Sequence, residues 1–225
     1  MIKAIIFDFD GLIVDTETPS YYVFSDIYNE YGVELTLETY SQCIGTSFSV
    51  FDPYTYLSNI TGKEVAIDEV KTKFRRKYRE LLENEGLRPG VREYLEEAKD
   101  MNLKIGLASS STLSWIKPHL ERFNLDTYFS SILTSDNVKE VKPNPELYIK
   151  SLENLGVNAE EAISFEDSLN GFKAAKSAGL NCVVVPNEVT RHFQFNEFDL
   201  LINSMQDIKF DKIIELINNK RIIRS

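Results

Sequence analysis

Hydrophobic and polar positions along the chain follow two different periods. Ala4 to Phe7 is a short unbroken apolar run that leads into Asp8-Phe9-Asp10-Gly11, which predicts a buried strand ending in a turn. Residues 12–18 read as a polar loop. From Pro19 the period becomes helical, with Tyr22, Val23, Ile27, Tyr28 and Tyr31 on one face and Gly32 as a stop. Leu37 to Ile44 predicts a second short helix ended by Gly45. The aromatic residues and Pro53 within 46–63 predict broken helices. Ile67 to Leu82 carries the stripe Val70, Phe74, Tyr78 and Leu81 of an amphipathic helix.

Strand-like runs resume only after this stretch. Val91, Tyr94, Leu95, Ala98 and Met101 mark a helix, and Leu103 to Ala108 a strand that runs into Ser109-Ser110-Ser111. Thr112 to Phe123 predicts a helix with Trp115 packed against the core, Ser131 to Thr134 a strand, and Asn144 the cap of a helix reaching Leu155. Ala162 to Phe165 is a strand leading to Glu166-Asp167, Ser168 to Ala178 a helix, and Asn181 to Val185 a strand. A short strand at 200–202 and a helix at 208–217 close the series, with a basic mobile end at 220–224. Alternating strands and helices of these lengths predict an α/β fold with a doubly wound, Rossmann-like parallel sheet. The all-helical stretch between the first two strands predicts an inserted cap, residues 16–86, on a core made of 1–15 and 87–225.

Composition narrows the function classes. The chain has 225 residues, 43% hydrophobic and 27% charged, which is ordinary for a globular protein. No apolar run is long enough to span a bilayer. The first strand starts too early to leave room for a signal peptide, and Cys43 and Cys182 have neither disulfide-framework nor metal-ligand spacing. The expected location is the cytoplasm. A formal charge of −10 argues against nucleic-acid and membrane partners and sets the cost of binding any anion. A phosphorylated metabolite needs its own local positive field, from a cation, a lysine and backbone N–H groups.

Four predicted strand ends carry such chemistry: Asp8 and Asp10, Ser109, the Lys142-Pro143 turn, and Glu166-Asp167. A parallel sheet brings its strand ends to one edge. Mg²⁺ is a hard cation held by carboxylates, waters and phosphate oxygens, and Asp8 and Asp167 supply carboxylates. Lys142 is a compact cation for phosphate, and Ser109 begins a helix whose N–H groups favour anions.

At these residues the chain resembles the haloacid dehalogenase superfamily. Asp8-Phe9-Asp10-Gly11-Leu12-Ile13-Val14-Asp15-Thr16-Glu17 is similar to its first motif, Leu107-Ala108-Ser109-Ser110-Ser111 to the second, Val141-Lys142-Pro143-Asn144-Pro145 to the third and Phe165-Glu166-Asp167-Ser168-Leu169-Asn170-Gly171 to the fourth. The group it resembles most is the subfamily I phosphatases that include β-phosphoglucomutase. The resemblance implies a Mg²⁺-dependent hydrolase of a small phosphomonoester metabolite. In it Asp8 is the nucleophile and Asp10 the acid and base. Asp8, the Asp10 carbonyl and Asp167 hold the metal, with Glu166 a ligand or a support. Ser109, Ser110 and Lys142 hold the phosphoryl group, and Thr16 and Glu17 lie where a leaving group can be read. A monomer or weak homo-oligomer is expected.

Two other functions fit parts of this pattern. One is a sugar-phosphate mutase, which the chain fits less well because Ser20 and Phe48 stand where mutases of the group carry a histidine and an arginine. The other is a non-catalytic phospho-receiver, which needs no acid such as Asp10. His119 and His192 are expected to be ordinary helix-face or loop residues.

Overall fold

The computed structural model describes residues 1–46, 50–62 and 64–224, without the side chains of 220–224. The contrast of Phe48 with the mutase arginine therefore lies outside the described residues, as do the side chains of the basic end.

Among the described residues, six parallel strands form one sheet in the order β3-β2-β1-β4-β5-β6. They are β1 (Ala4–Phe7), β2 (Lys104–Ala108), β3 (Ser131–Leu133), β4 (Ala162–Glu166), β5 (Asn181–Val184) and β6 (Leu200–Leu201). β1 pairs with β2 on one side and with β4 on the other, setting Phe7 level with both Leu107 and Phe165. The strand order reverses at β1, and the crevice at such a reversal is where open parallel sheets bind ligands.

Strand side chains alternate between two buried layers. Ile5, Phe7, Leu107, Phe165 and Val183 pack with α5 (Val91–Asp100), α6 (Leu113–Arg122) and α9 (Phe210–Arg224). Phe7 and Phe165 stack with ring centroids 4.9 Å apart. Ala4, Ile6, Ala108, Cys182 and Val184 face the other way, against α7 (Glu146–Leu155) and α8 (Leu169–Ser177). A strand buried on both faces must be apolar throughout, hence the unbroken run of β1.

Between β1 and α5 the described elements are helical: α1 (Glu17–Glu30), α2 (Leu37–Tyr40), α3 (Pro53–Thr61) and α4 (Ile67–Leu82). They share a core of Val23, Phe24, Ile27, Tyr28, Leu57 and Phe74, with Phe24 and Phe74 stacked at 4.2 Å.

Several local expectations need correction. Residues 12–14 are not a polar loop: Leu12, Ile13 and Val14 are buried with the sheet core. Gly11 donates to the Val14 carbonyl (2.8 Å), and this turn folds the three side chains inward. Helix α1 begins at Glu17, ahead of Pro19, because the Asp15 carboxylate accepts from the N–H (3.0 Å) and hydroxyl (2.9 Å) of Thr18. α2 stops at Tyr40 and passes into turns. α7 starts at Glu146, whose N–H bonds the Asn144 side-chain oxygen (2.9 Å), so Asn144 caps from one residue before the helix boundary. The last helix continues beyond Ile217 to Arg224.

Candidate active site

Asp8 follows β1 directly, and its N–H extends the ladder to the Phe165 carbonyl (3.1 Å). Its side chain is buried. Lys142 is fully buried with it, donating to Asp8 Oδ1 and to Glu166 Oε1, each at 2.7 Å. The Tyr148 hydroxyl donates to the same Glu166 oxygen. Asp167, next in sequence, accepts from Asn187 Nδ2 at 2.8 Å. Acceptor atoms of Asp8, Glu166 and Asp167 all lie within 4.8 Å of one another.

Three carboxylates facing one ammonium leave negative charge uncompensated in a place water does not reach. Burial, the Glu166 charge and the Asp10 charge push Asp8 up to about 8 against the opposing pull of Lys142. Burial, then the charges of Asp8 and Glu166, hold Asp167 well above the usual carboxylate range. Burial alone would lower Lys142, but the two carboxylates outweigh it and raise it. Asp167 Oδ1 and Glu166 Oε2 are buried without a hydrogen-bond partner. Orphaned carboxylate oxygens beside a third carboxylate fit a divalent cation by charge and by donor type. Gly11 is needed there: its φ is +76°, and a Cβ would stand 2.3 Å from Asp167 Oδ2.

Asp10 sits two residues on in a different setting. Its Oδ1 accepts from Thr16 Oγ1 (2.9 Å) and Trp115 Nε1 (2.8 Å), and its Oδ2 from Ser111 Oγ (2.6 Å), with Ser109 Oγ at 3.4 Å. The turn at Gly11 sends it out of the buried cluster into a cavity of about 210 Å³ between the strand ends and the helices. Ser109, Ser110 and Ser111 form the near side of this cavity, and Glu17, Ser20, Tyr40 and Phe74 the far side. The Tyr40 hydroxyl donates to Ser20 Oγ at 2.6 Å. Burial and the Asp10 charge push Glu17 up to about 8.

Residues 44–46 close one end of the cavity. Ser110 Oγ donates to the Gly45 carbonyl (3.2 Å), Thr46 Oγ1 to the Lys142 carbonyl (2.6 Å) and Asn170 Nδ2 to the Ile44 carbonyl (2.8 Å). Gly45 has φ +70° and would place a Cβ 2.1 Å from Ser168 Oγ, so the loop approaches α8 as closely as only glycine permits.

The nine residues singled out from sequence thus fall into two neighbouring groups. Asp8, Lys142, Glu166 and Asp167 make the buried cluster. Asp10, Thr16, Glu17, Ser109 and Ser110 line the cavity, which Asp8 also borders, the Ser110 hydroxyl being turned to the Gly45 carbonyl. Trp115 is more than the packing residue expected of it, because its N–H bonds Asp10. Its signal was its place near the start of the helix that follows the serine run. Tyr148 and Asn187 were missed, and so was Arg88, which donates to the carbonyls of Gly11 (2.6 Å), Val185 (2.9 Å) and Pro186 (2.7 Å). No local pattern marks these three, since their partners are distant in sequence. His119 packs between Phe9 and Trp115, and burial lowers its pKa.

Comparison with known proteins gives a consistent picture. Residues 5–185 match the model of the haloacid dehalogenase-like hydrolase family. A Bacillus subtilis (strain 168) protein named "Putative phosphatase YhcW" is 46% identical over 220 residues, spanning 98% of this chain and 100% of that protein. The phosphorylated carbohydrates phosphatase of Thermotoga maritima is 33% identical over 184 residues, covering 80% of this chain and 82% of its own. Among solved structures, β-phosphoglucomutase from Clostridium difficile superposes with a TM-score of 0.76 at 26% identity, covering 99% of this chain and 100% of that one. With its four motifs carried on a parallel sheet of the matching fold, the chain belongs to the haloacid dehalogenase-like hydrolase family.

Proposed function

We propose that this protein is a Mg²⁺-dependent phosphatase of a small phosphomonoester, a phosphorylated sugar or polyol, working through an aspartyl-phosphate on Asp8. The observation that carries this is the contrast between the two motif carboxylates. Asp8 is clamped in a buried cluster by Lys142, and Asp10 is held by hydroxyl and indole donors in the adjoining cavity. The relatives named as phosphatases support the same reading.

In the first step an Asp8 oxygen attacks phosphorus, the bond from phosphorus to the leaving oxygen breaks, and Asp10 gives that oxygen its proton. In the second step water attacks phosphorus, the bond to Asp8 breaks, and Asp10 takes the water's proton, which frees phosphate. Lys142 and Ser109 hold phosphoryl oxygens during both steps. Asp8, Asp167 and the Asp10 carbonyl would hold Mg²⁺, with Glu166 fixing Lys142. The ion supplies the positive charge that lets two anions meet. Residues 16–86 would act as the cap that excludes water around the reaction, on a core made of 1–15 and 87–225. Such an enzyme would act in the cytoplasm as a monomer or weak homo-oligomer; Cys43 and Cys182 are free thiols in agreement with this.

Phosphatase is favoured over mutase because, apart from Lys142 beneath Asp8, no lysine or arginine stands at the cavity among the described residues to grip a second phosphate. A mutase must grip a second phosphate, for which arginine is the usual clamp. The test is turnover of p-nitrophenyl phosphate with Mg²⁺, followed by a screen of sugar and polyol phosphates. Asp8→Asn is expected to lower kcat by about 10⁴-fold or more. Wild-type turnover in that variant would remove the basis of the proposal.

A further inference from the structure

The donors to Asp10 Oδ1 share a support that lies outside the four motifs. Thr16 Oγ1 and Trp115 Nε1 both bond this oxygen, at 2.9 and 2.8 Å. Tyr78 on α4 touches both donors' residues: its hydroxyl donates to the Thr16 carbonyl at 3.1 Å, and its ring stacks on the Trp115 indole at 6.0 Å and 13°. His119, one helical turn beyond Trp115, packs at 63° to the indole on α6. The indole is therefore held between two rings with its N–H aimed at one carboxylate oxygen.

We infer that Trp115 and Tyr78 are positioning residues that fix the orientation of the Asp10 carboxylate, through the indole N–H and through a bracket that Tyr78 extends from the helical segment. This rests on the acid and base role of Asp10 proposed above. Two serine hydroxyls alone grip Oδ2, and hydroxyls rotate. The indole N–H has one direction, set by the ring plane, so it defines where Oδ1 points. A carboxylate misaligned by a fraction of an ångström cannot take a proton from the attacking water in line with phosphorus. The first step on an aryl phosphate makes no such demand, because nitrophenolate leaves without a proton.

Trp115→Phe keeps the stack and removes the N–H. With p-nitrophenyl phosphate and Mg²⁺, kcat is expected to fall roughly ten- to a hundredfold. KM should fall with it, so that kcat/KM stays near the wild-type value. Rapid mixing should show a burst of up to one nitrophenolate per enzyme, as phosphoenzyme forms and waits for water. Tyr78→Leu keeps the N–H and removes the bracket, and should give the same burst with a smaller loss. Trp115 is the only tryptophan, so Asp10→Ala should shift the protein's indole emission directly. Unchanged kinetics in both variants, or equal loss of kcat and kcat/KM without a burst, would overturn the inference. Asp8→Asn separates the two levels. An inactive Asp8→Asn with ordinary Trp115→Phe kinetics sinks only the positioning role, whereas an active Asp8→Asn sinks the phosphatase reading beneath it.

Discussion

The floor and the far wall of the cavity are built in opposite ways. The floor is charged and arrives from distant parts of the chain: Asp8 just after β1, Lys142 in the turn before α7, Glu166 at the end of β4 and Asp167 just after it. Lys142 meets both Asp8 and Glu166, Asp167 accepts from the Asn187 amide, and two carboxylate oxygens remain without a partner. The far wall comes from α1, α2 and α4 and is mostly aromatic and hydroxylic, with Ser20, Tyr40, Phe74 and Tyr78. Its polar groups are satisfied locally, as Tyr40 is by Ser20. The floor therefore crowds three carboxyl groups around one ammonium in a buried setting, whereas the wall offers shape and a few hydrogen bonds. Under the proposed function, chemistry that needs a cation and a phosphate would belong to the floor, and recognition of an uncharged leaving group to the wall. Glu17 is the exception, an acid on the wall whose carboxyl is pushed up to about 8.

Breaking the floor should have the largest effect. Lys142→Met leaves Asp8 and Glu166 facing each other without their shared cation. Unpairing a buried charge costs about 3–5 kcal/mol, so the urea midpoint should drop accordingly at neutral pH. Turnover should fall by roughly a hundred- to a thousandfold, as is typical when a donor to a developing negative charge is lost. Near-normal stability would mean that the cluster is less charged than its geometry implies.

A smaller effect should come from the cation itself. Free Mg²⁺ at a hundred times its Kd should stabilise the folded protein by about 2.7 kcal/mol, read as a shift in unfolding with and without chelator. Asp167→Asn should remove most of that shift, while Tyr40→Phe on the wall should keep it. Chelation should also abolish phosphatase turnover reversibly.

The smallest effect sharpens the wall. Glu17 has its folded-state value at about 8 against an ordinary 4.5, raised by burial and then by the Asp10 charge. The folded protein thus keeps a proton there that the unfolded chain releases. The contribution is fully present below about 4.5 and is lost as pH rises through about 8. Glu17→Gln should flatten that part of the stability profile, gaining on the wild type toward alkaline pH. An unchanged slope across this range would mean that Glu17 is better solvated than its place in the cavity implies.

Much of the fold can be read directly from the sequence because the periods are strong. β1 and α4 fall where the apolar run and the Val70, Phe74, Tyr78, Leu81 stripe place them, except that the buried face ends on Leu82 and leaves Leu81 exposed. The acidic site residues are legible because each ends or follows a strand run, and a parallel sheet gathers such ends; Lys142, expected at a strand end, instead lies in the turn before α7, well after β3 ends at Leu133. Residues 12–14 were misread because the acidic and hydroxyl residues that follow them masked three core side chains, and only the Gly11 turn turns these inward. Trp115 was half legible: its helix was clear, but the direction of its N–H depends on Asp10, 105 positions earlier.

Local order of apolar and polar residues determined the strands, the helices between β1 and β2, and which carboxylates and serines stand at strand ends. That information is short-range, since it depends on side chains repeating every two or 3.6 residues. Only the tertiary structure decided that Asp8 is clamped by a lysine and Asp10 by hydroxyl and indole donors, that Glu166 spends one oxygen on Lys142, and that a tyrosine from α4 braces the indole above the motif. Those outcomes depend on the burial and direction of groups far apart in sequence, because electrostatic cost and hydrogen-bond geometry are set by what surrounds a group in space.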